Sequence, residues 1–469
     1  MTRDPTSDVL QEPYRARSLW LEQLPEPLTP RASLPGDLQC DVTIVGGGFT
    51  GLWSAYYLKR AQPDLRVAVV EAEVAGFGPS GRNGGWASSG IAGSPRVYER
   101  NGGRDGVVRA TRETFRAVDE IGEVAAREQI ECGYAKRGML SVATTAPQEQ
   151  RLRDSVRNLH ATGMTDDDVW LLGPDHAAKL AELPRLRAGS FSPHAARIDP
   201  ARLVRGLARA CERLGVQIFE RTRALSAGPG AVRCEQGTVR SEIVLRATES
   251  YTVRLPGGER DYLPLYSLMI ATEPLGDDAW ARHRFTDGLL IGDRHHLFFY
   301  AQRTADGRVA IGGRGAPYRL GRSIDARNER NDQVRRRLEA ALRRNFPVAA
   351  QARVSHHWGG PLAVPRDWSM SVRFDRASGF GTAGGYVGHG VVASNICGRT
   401  LADLALSRDS DLVSLPWVGH RSRRWEPEPL RFLASSAIVR TLGAADRYED
   451  RRGRRAMRTL ALAPFLPPA

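Results

Sequence analysis

The sequence predicts an α/β protein in which a discontinuous Rossmann-type dinucleotide-binding domain carries an inserted α+β domain built on an antiparallel sheet. Three observations predict it. A glycine-rich turn follows a strand-like run and opens a helical stretch, a second α/β segment begins near Asp199, and the intervening regions carry polar helices and strand-like runs.

Residues 1–37 are rich in proline and charge, and Ser18-Leu19-Trp20-Leu21 interrupts them, so they read as an arm with one apolar anchor. Val42-Thr43-Ile44-Val45 reads as a buried strand. The run Gly48 to Lys59, with Leu52, Ala55, Tyr56 and Leu58 apolar, reads as a helix, and Val67-Ala68-Val69-Val70 as a second buried strand. Thr111 to Glu128 is a polar helical stretch. Asp199 is a good N-cap, with Pro200 at the first helical position, Leu203, Leu207, Ala210 and Leu214 on one face, and Gly215 as a left-handed cap. Val216 to Phe219, Ala231-Val232 and Ile243-Val244-Leu245 supply further strands. From Tyr262 to Gly313 the strand-like runs are Leu265 to Ala271, Leu289-Leu290-Ile291, His296 to Tyr300 and Val309-Ala310-Ile311. The expected division is an arm at 1–37, a dinucleotide domain made of 38–90, 196–255 and 355–410, a substrate domain made of 91–195 and 256–354, and a helical tail at 411–469.

Composition narrows the class. With 469 residues, 41% hydrophobic, the chain has ample length for a large core, and no apolar run is long enough to span a bilayer. The N-terminal segment Met1-Thr2-Arg3-Asp4-Pro5 lacks the pattern of a secretory signal, so a cytoplasmic location is expected. Cys40, Cys132, Cys211, Cys234 and Cys397 are scattered and form no CxxC pair, which argues against a metal site or disulfide framework. The net charge of +14 does not point to nucleic acid, because the cations are spread along the chain and only three of the 67 basic residues are lysine.

The pattern GxGxxG occurs at Gly46-Gly48-Gly51, Gly76-Gly78-Gly81 and Gly379-Gly381-Gly384, and context separates the three. Only the first follows a buried strand, opens a helix and has an acid, Glu71, at the end of the next strand. In that setting Gly46 permits a tight turn, Gly48 lets a pyrophosphate approach the backbone and Gly51 allows close helix–strand packing. The anion belongs at the helix N-terminus, and Glu71 suits the hydroxyls of an adenosine ribose. Such a unit serves NAD or FAD, and Gly76-Phe77-Gly78-Pro79-Ser80-Gly81-Arg82-Asn83-Gly84-Gly85 favours FAD, since its turn amides and polar side chains suit a flavin edge. Gly384-Gly385-Tyr386-Val387-Gly388-His389-Gly390-Val391 leads from a strand into a helix whose positive end suits the pyrimidine edge of reduced flavin.

On these residues, together with Ala247-Thr248-Glu249-Ser250-Tyr251 and Gly385 to Ser394, the chain resembles the D-amino-acid oxidase, glycine oxidase and sarcosine oxidase superfamily of FAD-dependent oxidoreductases. Within it, the gamma-glutamylputrescine oxidase-like branch is most similar, over residues of about 18 to 430. The resemblance implies non-covalent FAD, because no cysteine precedes the Gly388-His389-Gly390 segment where sarcosine oxidases carry one. It also implies an amine or amino-acid substrate, hydride transfer from the carbon bearing nitrogen, and oxygen or an electron carrier as acceptor. The implied cofactor contacts are Gly46, Gly48, Phe49, Thr50 and Gly51 at the pyrophosphate, Glu71 and Ala72 at the ribose, and Ala224 at adenine. Gly78, Ser80, Arg82, Asn83, Gly84 and Gly85 would lie on the flavin side, and Tyr386, Gly388, His389, Gly390 and Val391 at the pyrimidine edge.

Substrate-binding candidates are Arg294, Tyr300, Arg303, Arg314 and Trp358, with Arg366 beside them, because their segments border the expected cavity and arginine suits bidentate capture of a carboxylate. Sarcosine oxidase-like members use a lysine beside the flavin to promote reaction with oxygen, and this chain has none after Lys179. His295 and His296, read as strand residues on opposite faces, are the candidates to replace it or to accept the substrate's ammonium proton, with Arg82 lending further positive charge. An oxidase is favoured over a dehydrogenase because the most similar family branch is so named and because Arg82 lends positive charge. The rival readings are an NAD-dependent dehydrogenase and a non-catalytic FAD-binding protein.

Overall fold

The computed structural model describes residues 13–313, 315, 318–320 and 324–459, so Arg314 lies outside the described residues. Two sheets organise it. The first has six strands in the order Ser371–Asp375, Phe380–Gly384, Ile243–Arg246, Val42–Val45, Val67–Val70 and Gln217–Phe219. All neighbours are parallel except the edge pair Ser371–Asp375 and Phe380–Gly384. Val42–Val45 and Val67–Val70 are buried along their whole length, because helices cover one face of the sheet and a four-stranded sheet of Leu38–Gln39, Thr238–Arg240, Ala231–Cys234 and Ala224–Gly228 covers the other. The helices Phe49–Ala61, Pro200–Arg213 and Gly390–Ala405 share one apolar core with this sheet. Asp199 caps the second of them by accepting from the Arg202 amide.

The second sheet has eight strands in the order Val354–Val364, Leu263–Thr272, Val309–Gly313, Phe299–Arg303, Leu290–Asp293, Met139–Ala143, Ala188–Ser192 and Trp170–Leu172. It is antiparallel, as expected, except at one place, where Leu290–Asp293 runs parallel to Met139–Ala143. It also claims Val354–Val364, which the sequence reading gives to the dinucleotide half from 355 onward. That strand spans both roles: it pairs with Leu263–Thr272, and its distal residue Ala363 donates to Glu249 beside the first sheet.

The expected strand His296 to Tyr300 begins instead at Phe299, and residues 294–298 form a turn between Leu290–Asp293 and Phe299–Arg303. Asp293 dictates this turn, since its carboxylate accepts from the Phe299 amide and closes the hairpin. The long helix Pro95–Arg127 is broken at Gly103, whose φ of 68° is not helical. Trp20 of the arm is buried, and its Nε1 donates to the Asn83 carbonyl. A last helix, Leu430–Arg452, follows the tail. Among the described residues no helix is long and apolar enough to cross a membrane.

Candidate active site

One cavity of about 2740 Å³ runs from the carboxyl ends of Val42–Val45 and Val67–Val70 to the face of the second sheet. Every residue assigned to the cofactor by the sequence lines it except Gly51 and Gly85. Those two are packing glycines. A Cβ on Gly51 would overlap the Gly46 carbonyl oxygen, and one on Gly85 would overlap the Ile198 carbonyl. Gly46, with φ of 111°, sits against Ala247, whose carbonyl oxygen would be 2.7 Å from an added Cβ.

The first helix begins at Phe49 with Gly48 as N-cap and no side-chain cap, and the helix Gly390–Ala405 begins after His389, also without one. Both N-termini open on the cavity. They are tied together by Thr50 and Tyr386, whose hydroxyls are 2.8 Å apart. Apart from the Phe49 amide, which Ser80 Oγ engages, two helix ends aimed at one cavity offer first-turn amides and positive dipole ends to an anionic ligand. The Glu71 carboxylate accepts from the amides of Gly47 (2.7 Å) and Glu73 (3.0 Å), and burial raises its pKa to about 7.

The segment Gly76–Gly85 is fixed from several sides. Ser80 Oγ accepts from the Phe49 amide at 2.9 Å, which joins the segment to the helix N-terminus. Asn83 bonds within the segment, donating to the Pro79 and Ser80 carbonyls and accepting from the Gly85 amide. Arg82 is buried, pairs with Glu329 at 2.8 Å, and donates to Tyr251 Oη and the Gly359 carbonyl. Tyr300 packs against Gly84, where an added Cβ would be 2.6 Å from its ring, and its hydroxyl is 2.7 Å from Ser267 Oγ. Glu249 holds the far end of the cradle: its buried carboxylate accepts from the Ala363 and Tyr386 amides. Glu249 (φ 45°), Trp368 (φ 62°) and Val387 (φ 50°) line the cavity in left-handed conformations that cost such residues free energy, a mark of a constrained site. The sequence reading quotes Glu249 and Tyr251 only as part of a resembling segment, and Glu329 carries no local signal because its partner Arg82 is far away in the chain.

The substrate candidates divide. Arg294, Tyr300 and Arg366 line the cavity. Arg294 donates to Ser155 Oγ at 3.3 Å, and among the described residues it has no carboxylate within ion-pair distance and no partner for its buried Nε. Arg366 is paired with Glu426 at 3.0 Å. Arg303 is a correction: its guanidinium stacks on Trp280 at 4.2 Å, away from the cavity. Trp358 is another, because it is fully buried beneath the segment Gly76–Gly85, packs edge-on against Trp20 and donates to the Arg82 carbonyl. The two histidines lie on the turn rather than on opposite faces of a strand. His295 is held by Asp293 through Nδ1 and by Asp450 through Nε2, which overcome burial and raise its pKa to about 10. It is therefore a cation at neutral pH and does not accept a proton. His296 sits against Glu449 at 3.5 Å.

The glycines that a Cβ would block, the two uncapped helix ends and the ribose-suited Glu71 fit an FAD, with the residues of Gly46–Thr50, Glu71 and Gly388–Val391 as those that could hold it. Fold and site together define a dinucleotide-dependent redox protein. The chain belongs to the DAO family of FAD dependent oxidoreductases, whose profile matches residues 41–404. FAD is thus the cofactor, the chain is an oxidoreductase, and the NAD-dependent alternative is overturned. Among its relatives, gamma-glutamylputrescine oxidoreductase of Escherichia coli K12 is 30% identical over 408 residues, covering 84% of this chain and 92% of that protein. A probable oxidoreductase, OrdL, of Haemophilus influenzae is 29% identical over 397 residues, covering 79% and 84%. Among solved structures, glycine oxidase from Geobacillus kaustophilus superposes with a TM-score of 0.68 at 19% identity, covering 82% of this chain and all of that one.

Proposed function

We propose that the protein oxidises the C–N bond of an amine that also carries an acidic group, and that Arg294 binds the acid. The carrying observation is the Arg294 guanidinium, a cavity-lining cation with no carboxylate within ion-pair distance among the described residues. A cation that faces a cavity without a carboxylate partner suits a substrate carboxylate, which would bind it through charge-assisted bonds. The similarity to gamma-glutamylputrescine oxidoreductase and glycine oxidase supports an amine or amino acid as the donor.

In this reading the substrate loses a hydride from the carbon bearing nitrogen and a proton from nitrogen, and the resulting imine takes up water to give a carbonyl compound and ammonia or an amine. FAD, when bound, supplies the acceptor for that hydride. The protein's share is orientation and electrostatics. Tyr300 packs on Gly84 of the Gly76–Gly85 segment, so it forms part of the cavity wall beside that segment. The N-terminus of Gly390–Ala405 offers a positive dipole end where negative charge develops.

Anaerobic mixing with paired amines, one with and one without a carboxylate, tests this through loss of flavin absorbance. The acid-bearing amine of each pair should bleach the flavin faster, and Arg294→Gln should raise its KM at least about tenfold, the cost of one charge-assisted bond. Equal rates for both members of each pair would remove Arg294 from substrate binding, and no bleaching by any amine would end the amine reading.

A further inference from the structure

The family match ends at residue 404, yet the later helix Leu430–Arg452 also lines the cavity. Its contribution is a single stripe: Leu430, Ala434, Ser435, Ile438, Val439 and Leu442 recur at helical spacing on one face, without a charge among them. Arg440 and Arg447 are exposed on the rest of the helix.

Both ends are pinned. Near its start, Phe432 packs against a cluster that includes Tyr318, Trp425 and Val387, the last of these beside the Gly388–Val391 segment. Near its end, Asp446 accepts from the amides of His296 and Leu297, both at 2.9 Å, Glu449 pairs with Arg151 at 2.8 Å, and Asp450 pairs with His295 at 2.8 Å. The helix, roughly 33 Å long at its ordinary rise, therefore bridges the first sheet's cradle and the hairpin of the second sheet.

Resting on the reading of an amine oxidised in this cavity, we propose that Leu430–Arg452 is the wall of its substrate end, and that Ile438 and Val439 select an unbranched aliphatic segment remote from the oxidised carbon. Ile438 and Val439 offer nothing to a charge or a hydroxyl, which would lose water against them without gaining a partner. A methylene buried against it gains roughly fourfold in affinity.

Straight-chain carboxylates from acetate to octanoate are the probes, followed by the shift they cause in the flavin absorbance of the holoenzyme. Affinity should rise by roughly fourfold per methylene over part of the series. The double variant Ile438→Ala, Val439→Ala should flatten that rise, and Ile438→Trp should end it at a shorter chain. Flavin content and Tm, unchanged in either variant, show that it is folded. The same chain-length profile in wild type and both variants overturns the proposal. The parallel anaerobic series of n-alkylamines separates the two readings. If no amine reduces the wild type but the carboxylate profile still responds to the substitutions, the wall stands and the amine reading falls. Reduction by amines with an unresponsive profile gives the reverse.

Discussion

Single residues set the cradle. Gly48 faces Ser80, whose Oγ would be 3.0 Å from an added Cβ, so Gly48→Val fills the space between the helix N-terminus and the Gly76–Gly85 segment. The variant is expected to keep its helical circular dichroism and to bind FAD at least about tenfold more weakly, a cost of about 1.4 kcal/mol; full flavin content after purification would sink the assignment. Glu71 gives a pH signature. Its folded-state pKa of about 7 lies above the ordinary value of about 4.5, so the folded flavin-free protein holds a proton that the unfolded chain has lost. Its contribution to stability is present below pH 4.5 and is lost as the pH rises to 7. Asp199 is raised to about 6 in the same range, so the comparison must be with Glu71→Gln. The Tm of flavin-free wild type should fall from pH 5 to 7 more steeply than that of Glu71→Gln; parallel curves would show that Glu71 is not the group responsible. Gly46, Gly48, Gly51 and Glu71 were legible in sequence because strand, turn, helix and acid follow one another locally. Glu329 and Trp358 were not, because what they do depends on chain segments brought together only by folding.

At the scale of elements, the hairpin turn 294–298 and the helix Leu430–Arg452 form a latch. Asp293 on the hairpin, Asp450 on the helix and Gln148 on Ala146–Ala161 all face His295, and Arg344 on Asp332–Asn345 pairs with Asp450. The His295 pKa of about 10 lies above its ordinary value of about 6.5, so the latch contributes its full stability below pH 6.5 and loses it as pH rises through 10. Amide exchange in 430–452, corrected for the intrinsic base-catalysed rate, should therefore increase between pH 7 and 10, by about tenfold for a loss of about 1.4 kcal/mol. In His295→Gln the protection should be low throughout and lack that rise; a wild-type profile independent of pH would refute the latch. Alternation misled the sequence reading here. Apolar Leu297 and Phe298 extend the strand pattern backward from Phe299, and nothing local reveals that Asp293 folds back to cap the Phe299 amide. The strands Val42–Val45 and Val67–Val70 were readable because burial on both faces demands uninterrupted apolar residues.

Across the whole molecule, the two sheets border the cavity, and the charges lining it are expected to bear on which acceptor takes the electrons. Transfer to oxygen builds superoxide, which a fixed cation stabilises. The expectation of an oxidase rests on the name of the similar family branch and on Arg82, with His295 and His296 as further candidates to supply that charge. Folding engages all three with carboxylates: His295 with Asp293 and Asp450, His296 with Glu449, and Arg82 with Glu329. The lysines are spent elsewhere, since Lys59 donates to the Leu65 carbonyl, Lys136 pairs with Asp119, and none of Lys59, Lys136 and Lys179 lines the cavity. Arg82 is the cation held within the Gly76–Gly85 segment, and Glu329, at 2.8 Å, balances its charge where it would be needed. Arg294, which has no carboxylate partner among the described residues, is the cation proposed to bind the substrate's acid, so oxygen is expected to be a poor acceptor, and a quinone or dye a good one. Stopped-flow reoxidation of substrate-reduced enzyme should be at least about tenfold slower with oxygen than with an equal concentration of dye, a barrier difference of about 1.4 kcal/mol. Glu329→Gln keeps a hydrogen-bond acceptor beside Arg82 but removes the balancing charge, so it should accelerate the oxygen reaction by a similar factor and leave reduction by the amine largely unchanged. Oxygen reacting as fast as the dye in the wild type would return the protein to the oxidases, and a Glu329→Gln variant with unaltered oxygen reactivity would show that Arg82 does not govern the choice.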